Sequence, residues 1–347
     1  MFRLNVIGLE VSTSAAKCIL FSLEEGIIDA VSFKYGGEIS NTRTTRPEGM
    51  LLAAKRALKR IVENNSNRKI SAIGLGGAWH SLLLLDKERL PLGPIYTWAD
   101  VTGGEIVHAI REDRELTQGI YYRTGCMVHA MYPVWQYYHL RKTNPQIVKE
   151  TRHISSQVEY LFEHLTGDIA VSKCIASASG FFNIHTLDWD SDLLDLVQLD
   201  RDCFADLKDG VHFAGLRVSV AEELGLPSGI PVTVGYADGA MNQVGVGGDR
   251  DGIMSFSVGT SAAIRMICDR PIIPDVPSTW CYYLYGGKRL VGAATQGACN
   301  CVDWFLNNVS RTVGDYGLLE QAALKTDVEG APYFLPFIYG ERCPGWQ

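Results

Sequence analysis

What the chain lacks narrows its class before any motif is read. No apolar run in its 347 residues approaches the ~18 residues of a membrane-spanning helix. The amino terminus, Met1 to Gly8, enters an apolar stretch without a basic leader region. No basic block marks a nucleic-acid or anionic-membrane surface. With 32 Lys and Arg against 39 Asp and Glu the net charge is −7, and an acidic balance favours solubility over nucleic-acid or membrane partners. The nine cysteines are odd in number and scattered, where a secreted disulfide framework shows paired spacings. Cys299 and Cys301 form a C-x-C with no histidine or further cysteine cluster nearby, so buried or half-buried thiols are expected there rather than zinc. With these absences the expected compartment is the reducing cytoplasm. What remains, 46% hydrophobic and 20% charged residues, is ordinary globular composition and enough for two domains with their own cores.

Periodicity then gives an element order. Leu4 to Leu9 reads as a buried strand, Ser12 to Ala15 as a small-residue turn, and Lys17 to Leu23 and Ile27 to Phe33 as two further strands. Pro47 opens a helix to about Glu63, with Leu51, Leu52, Ala54, Leu58, Ile61 and Val62 at helical spacing, and Ile70 to Leu75 is the next strand. Pro145 to Leu165 reads as a helix broken at Ser155 and Ser156; Asp188 to Leu199 and Val218 to Leu224 read as helices, and Pro231 to Gly235 as a strand. Late in the chain Gly252 to Val258, the turn Gly259 to Ser261 and Ala262 to Ile267 form a hairpin. A second hairpin, Trp280 to Tyr285 with Leu290 to Ala294, folds about Gly286 and Gly287, and Gln296 to Asn308 reads as a helix. Glycines at 245, 247, 248 and 252 mark a boundary, giving residues 1–247 and 248–347 as two domains.

The two turns match. Ser12-Thr13-Ser14-Ala15-Ala16 stands beside Gly259-Thr260-Ser261-Ala262-Ala263, identical at four of five positions and flanked by apolar strands in both places. Either two small-residue turns look alike by chance, or a domain is duplicated with one phosphate-facing turn in each half. Small residues let backbone N–H groups approach a phosphate, and hydroxyls with the ammonium of Lys17 add charge-assisted donors. Trp79-His80 and Trp98-Ala99-Asp100 supply indole faces and polar tips suited to a polyol. Asp238, in Ala237-Asp238-Gly239-Ala240 at the end of a strand, reads from its position alone as the N-cap of the helix that follows.

These segments resemble the FGGY carbohydrate kinase family, nearest its gluconokinases. The opening turn, with Glu10, Ser12, Thr13 and Lys17, is similar to the family's Asp-x-Gly-Thr turn followed by Lys. Ala78-Trp79-His80-Ser81 resembles the gluconokinase Ala-Met-His-Ser, and Thr97-Trp98-Ala99-Asp100 matches Thr-Trp-Ala-Asp. Thr124-Gly125 through His129-Ala130-Met131-Tyr132-Pro133 resembles Thr-Gly-x-x-x-His-Pro-Met-x-Pro, and Gly340-Glu341-Arg342-Cys343-Pro344 resembles Gly-Glu-Arg-x-Pro. Departures are Glu10 for the metal-associated Asp, and Gln136 and His139 where the family usually has Lys and Trp.

The resemblance implies an α/β fold of duplicated ribonuclease H-like domains, of the actin, hexokinase and heat-shock (Hsp70-type) ATPase kind, with the second incomplete. Residues 1–247 would bind sugar and 248–347 would be part of a nucleotide-binding domain, leaving apolar surface and strand edges exposed. A fragment, a natural truncation and a partner-supplied remainder all stay open. The implied activity is ATP-dependent phosphorylation of a sugar or sugar acid, with D-gluconate giving 6-phosphogluconate favoured. A pentulose kinase acting on xylulose or ribulose is one alternative, and a non-catalytic sugar-binding kinase remnant another. Asp238 would be the catalytic base; Trp79, His80, Trp98, Asp100 and His129 would bind substrate. Ser12, Thr13, Ser14, Lys17, Gly259, Thr260 and Ser261 would face the phosphates of ATP, with Mg²⁺ at Glu10. The partners are a small-molecule sugar or sugar acid and, as an assembly to test, a second copy in a homodimer.

Overall fold

The computed structural model describes residues 4–210, 212–250, 252–310, 315–338 and 340–346. Met1, Phe2 and Arg3 of the apolar amino-terminal stretch lie outside the described residues. The first strand, Asn5–Val11, buries Ile7, Leu9 and Val11 on alternate positions, as a period of two requires. It pairs antiparallel with Ala15–Ser22, which pairs antiparallel with Gly26–Lys34, and on its other side it runs parallel to Ile70–Gly77. Pro231–Thr233 joins parallel to Ile70–Gly77, Phe213–Gly215 closes that edge antiparallel, and Tyr236–Ala237 pairs parallel with the last residues of Ile70–Gly77. This is the expected ribonuclease H-like arrangement.

The helix Pro47–Asn64 crosses from Gly26–Lys34 to Ile70–Gly77. Pro47 takes the first helical position, where a missing N–H costs nothing. Its buried face carries Met50, Leu51, Ala53, Ala54, Ala57, Leu58 and Ile61. Burying the four large side chains at about 2 kcal/mol each contributes roughly 8 kcal/mol gross, far above any capping term.

A second sheet has four antiparallel strands in the order Met254–Val258, Ala262–Cys268, Arg289–Thr295, Trp280–Tyr283. Its hairpin around residues 259–261 repeats the first sheet's hairpin around 12–14, so the duplicated turns are duplicated hairpins. The two sheets do not have separate cores. Trp280 to Leu284, Leu290 and Trp346 belong to the same apolar cluster as Ile7 and Leu58. Elsewhere the later residues are open: Phe256 on the edge strand is 71% exposed, and Leu324, Tyr333 and Leu335 are exposed as well.

Three readings of local structure need correction. Between Pro145 and Leu165 the chain is not one broken helix. Pro145–Glu150 and Gln157–Thr166 are helices, and His153–Ser155 between them is a strand paired with Leu83–Leu85. Asp188 and Trp189 form a short strand with Phe182–Asn183, and the helix begins at Ser191 because the Asp190 side chain caps it by accepting from Leu193 N–H. The late helix spans Cys299–Phe305 and passes into a π-turn at Leu306–Ser310. Cys299 is exposed and Cys301 buried, both free thiols. Among the described residues no helix is long and apolar enough to cross a membrane.

The strand Trp280–Tyr283 is tied to the first unit at Gly125, whose carbonyl accepts from Cys281 N–H at 2.9 Å. Gly125 ends the helix Arg114–Thr124 at φ 67°, and a Cβ there would fall on the Cys281 carbonyl oxygen. Gly125→Ala therefore combines a left-handed backbone with a backbone clash. We expect it to lower unfolding stability by about 3 kcal/mol, read by denaturant titration.

Candidate active site

Three strand ends meet at one edge of the first sheet. Val11 is register partner of Gly77, and Gly77 of Ala237. A Cβ on Gly77 would lie 2.9 Å from the Val11 carbonyl oxygen and 2.5 Å from Val158, so only glycine allows this approach. The residues that follow each strand are the Ser12–Ser14 turn, Trp79-His80 and Asp238. Open α/β sheets bind ligands at such carboxyl ends.

Asp238 is the first residue of the helix Asp238–Gly245, whose cap position is Ala237. The N-cap alternative therefore does not hold; the carboxylate accepts from Gly239 N–H at 2.6 Å. Burial, foremost, pushes its pKa up to about 6; the Glu10 carboxylate adds to this, while the amides of Gly239 and Trp79 and the Arg265 guanidinium oppose it. Gly239 has no room for a side chain: a Cβ would stand 2.5 Å from the Trp79 ring and 3.2 Å from Arg265 Nε. Trp79 and Arg265 thus close over the start of this helix. Arg265 comes from the second sheet and donates to Ser257 Oγ at 3.1 Å.

The Trp79 indole meets Tyr282 edge-on at 5.1 Å and Trp280 at 6.0 Å, and those two rings stack at 4.8 Å. Tyr132 and Tyr282 join their hydroxyls at 2.8 Å. His80 sits at φ 56°, an uncommon backbone for a residue with a side chain, and its Nδ1 is 2.7 Å from the Ala178 carbonyl. A carbonyl can only accept, so Nδ1 carries the proton and Nε2 is left as an acceptor. Burial holds His80 neutral, with a pKa brought down to about 3. His129 has the opposite tautomer: Nδ1 accepts from Met131 N–H at 3.2 Å, which leaves Nε2–H as a donor. Burial, then Arg342 and Arg111, bring its pKa down to about 4.

Trp98 donates from Nε1 to Thr13 Oγ1 at 3.1 Å, and the Arg342 guanidinium lies over its ring at 4.9 Å. The tryptophan expected in the sugar pocket therefore touches the first turn and the Gly-Glu-Arg segment at once. Ser12 Oγ is used inside its turn, accepting from Ala15 N–H at 3.1 Å and donating to the Ala15 carbonyl at 3.0 Å. Thr13 and Ser14 sit at the tip. Lys17 faces Glu10 across the hairpin, Nζ to Oε2 at 3.4 Å. In the second turn Gly259, Thr260 and Ser261 are exposed, and the carbonyls of Gly259 and Thr260 accept from Cys299 and Asn300 N–H.

Asp100 stands apart. It is 5% exposed, accepts from Thr102 N–H and Oγ1–H at 3.2 and 2.8 Å, and lines a separate cavity of about 350 Å³ with Arg43, Tyr96, Gln136 and His139. Arg265, Arg342, Tyr132 and Tyr282 were not singled out from the sequence. The one signal for Arg265 was a charge in an otherwise apolar strand, Ala262–Cys268; for Arg342 it was the Gly-Glu-Arg motif itself.

A ribonuclease H-like sheet with a hydroxyl-bearing turn at its edge, beside an aromatic, histidine-bearing cleft around one carboxyl group, places the chain in the actin, hexokinase and heat-shock ATPase fold class. The profile of the N-terminal domain of the FGGY family of carbohydrate kinases matches residues 5–245. The chain belongs to that family, whose members are phosphotransferases that act on sugars. It is 26% identical to the gluconokinase of Bacillus subtilis over 99% of its own length and 69% of that protein. Two crystal structures from Lactobacillus acidophilus, one of a gluconate kinase and one of a ligand-bound xylulose kinase, each superpose with a TM-score of 0.92 at 26% identity, covering 99% of this chain and 70% of the other.

The raised pKa has a stability consequence whose sign is fixed. A carboxyl group whose folded pKa lies above its ordinary value of 3.8 holds its proton more tightly when folded, so ionising it between pH 4 and 6 costs stability. Asp238→Asn removes that cost. We expect the variant's unfolding midpoint to exceed the wild type's above pH 6, and the difference to vanish toward pH 4, in thermal melts across pH.

Proposed function

We propose that the chain transfers the γ-phosphoryl group of ATP to a hydroxyl of a sugar acid, D-gluconate in the first place, giving 6-phosphogluconate. The observation that carries this reading is the place of Asp238, at the strand end beside the Ser12–Ser14 turn and Trp79-His80, where burial pushes its pKa up to about 6. A base near the working pH is ionised enough to act and basic enough to take a proton. Asp238 accepts the proton of the substrate hydroxyl as its oxygen attacks the γ-phosphorus and the bond to the β–γ bridging oxygen breaks, leaving ADP. His80 as acceptor and His129 as donor read substrate hydroxyls, and Trp79 and Trp98 provide ring faces. Asp100 acts through the turn that carries Trp98.

Thr13, Ser14 and Lys17 in the first turn, and Gly259, Thr260 and Ser261 in the second, face the phosphates; Ser12 shapes its turn. The Lys17–Glu10 pair is exposed and contributes at most about 1 kcal/mol, so phosphate can displace it. Glu10, a carboxylate close enough to Asp238 to add to the rise of its pKa, would hold the Mg²⁺ that accompanies ATP. When bound it offsets negative charge on the phosphates. The family profile ends at residue 245, which supports residues 1–247 as the sugar-binding part and 248–347 as the part toward the nucleotide.

Gluconate is supported by the gluconokinase relative and by the His129 segment; the equal structural likeness to a xylulose kinase makes xylulose the second substrate to try. In a coupled ADP assay, Asp238→Asn should lower kcat about a thousandfold while sugar binding by calorimetry stays within about threefold. The wild-type kcat/KM should rise with pH through about 6 as Asp238 ionises. Turnover that survives the substitution would remove Asp238 as base. Sugar binding without ATP binding or turnover would replace the kinase reading with a sugar-binding protein. Glu10→Gln should raise the Mg²⁺ concentration needed for half-maximal rate.

A further inference from the structure

The helix Pro133–Thr143 starts directly after Tyr132, and Gln136, 4% exposed, sits in its first turn. Its Nε2 faces three backbone carbonyls: Thr97 at 2.7 Å, Asp100 at 3.2 Å and Met131 at 3.5 Å. Two of these belong to the turn that carries Trp98. The third belongs to the loop of His129, whose imidazole accepts from Met131 N–H. A primary amide has two N–H groups, so three acceptors share two donors. The other end of the side chain, Oε1, is buried with no hydrogen-bond partner among the described residues. A buried acceptor without a donor is unfavourable, so apolar packing alone would be served better by leucine. Val134, Trp135 and Tyr137 on the same helix are buried too, and they meet the packing need.

We propose that Gln136 is a positioning residue of the sugar pocket: its amide clamps the Thr97–Asp100 turn to the His129–Met131 loop and so sets Trp98 and His129 relative to each other. The proposal rests on the reading of Trp98 and His129 as pocket residues. It makes the clamp depend on donors, not on volume. Gln136→Leu keeps the size and removes both N–H groups. Gln136→Lys offers three N–H groups to three carbonyls and leaves no orphan acceptor.

With sugar varied at saturating ATP, Gln136→Leu should raise KM about tenfold with kcat within about twofold, and Gln136→Lys should return KM to within about threefold of wild type. Native-state hydrogen exchange reads the clamp without turnover. In the leucine variant the amides of residues 97–102 and 129–132 should exchange about tenfold faster, with Asn5–Val11 and Ile70–Gly77 unchanged, and the lysine variant should restore protection. Unchanged exchange in both segments, a loss of protection spread evenly over the chain, or a lysine variant no better than leucine would each overturn the proposal. If the wild type turns over neither gluconate nor xylulose, the exchange result still decides on the clamp, so its failure is distinct from failure of the kinase reading.

Discussion

The site hangs from the parallel pairing in which Gly77 lies between Val11 and Ala237. Each strand then delivers a different chemical group to the same place: a hydroxyl-bearing turn, a tryptophan with a histidine, and an aspartate. The pairing tolerates no side chain on the central residue, because Val11 and Val158 fill the space where a Cβ would go. Behind it, the helix Pro47–Asn64 and the apolar alternation of Asn5–Val11 and Ala15–Ser22 fix the sheet. A one-residue slip would turn Leu9 and Val11 outward and move all three groups apart.

Burial, more than any single charge, sets the electrostatics of the cleft. Arg265 stands near Asp238, yet the aspartate's pKa rises, because loss of water outweighs the guanidinium's attraction. The guanidinium is itself shielded from water, which lowers its own pKa. The same cause keeps His80 and His129 neutral far below physiological pH. The two histidines therefore bring an uncharged acceptor and an uncharged donor to a cleft that also holds the Arg265 and Arg342 guanidiniums and one carboxyl group in a range where it can exchange a proton. Opposite tautomers, set by the Ala178 carbonyl and the Met131 amide, give the two histidines complementary hydrogen-bonding roles.

Much of this was legible in the sequence where local pattern and tertiary demand agree. The strands of the first sheet, the crossover helix and the paired hairpins follow from periodicity and small-residue turns. Trp79, His80 and Asp238 stand where motif spacing put them, just past strand ends. The failures have a common cause. His153–Ser155 was hidden because three residues carry no period, and its partner strand is about seventy positions earlier. That Asp100 lines a separate cavity, its carboxylate accepting from Thr102, was not legible because the cavity's walls come from distant segments. Arg265 and Arg342 reach the cleft from more than a hundred residues away in sequence from Trp79, a distance no local signal spans.

The sequence by itself determined the class of sheet, the two matching small-residue turns and the acidic group at a strand end, since each is a short-range matter of residue size, period and backbone freedom. Only the tertiary structure decided the charge state of Asp238, the tautomers of His80 and His129, the cation over Trp98, and the three carbonyls that meet at Gln136. Those depend on how much water is excluded and on which distant groups are brought within about 3 Å, and both quantities exist only once the chain is folded.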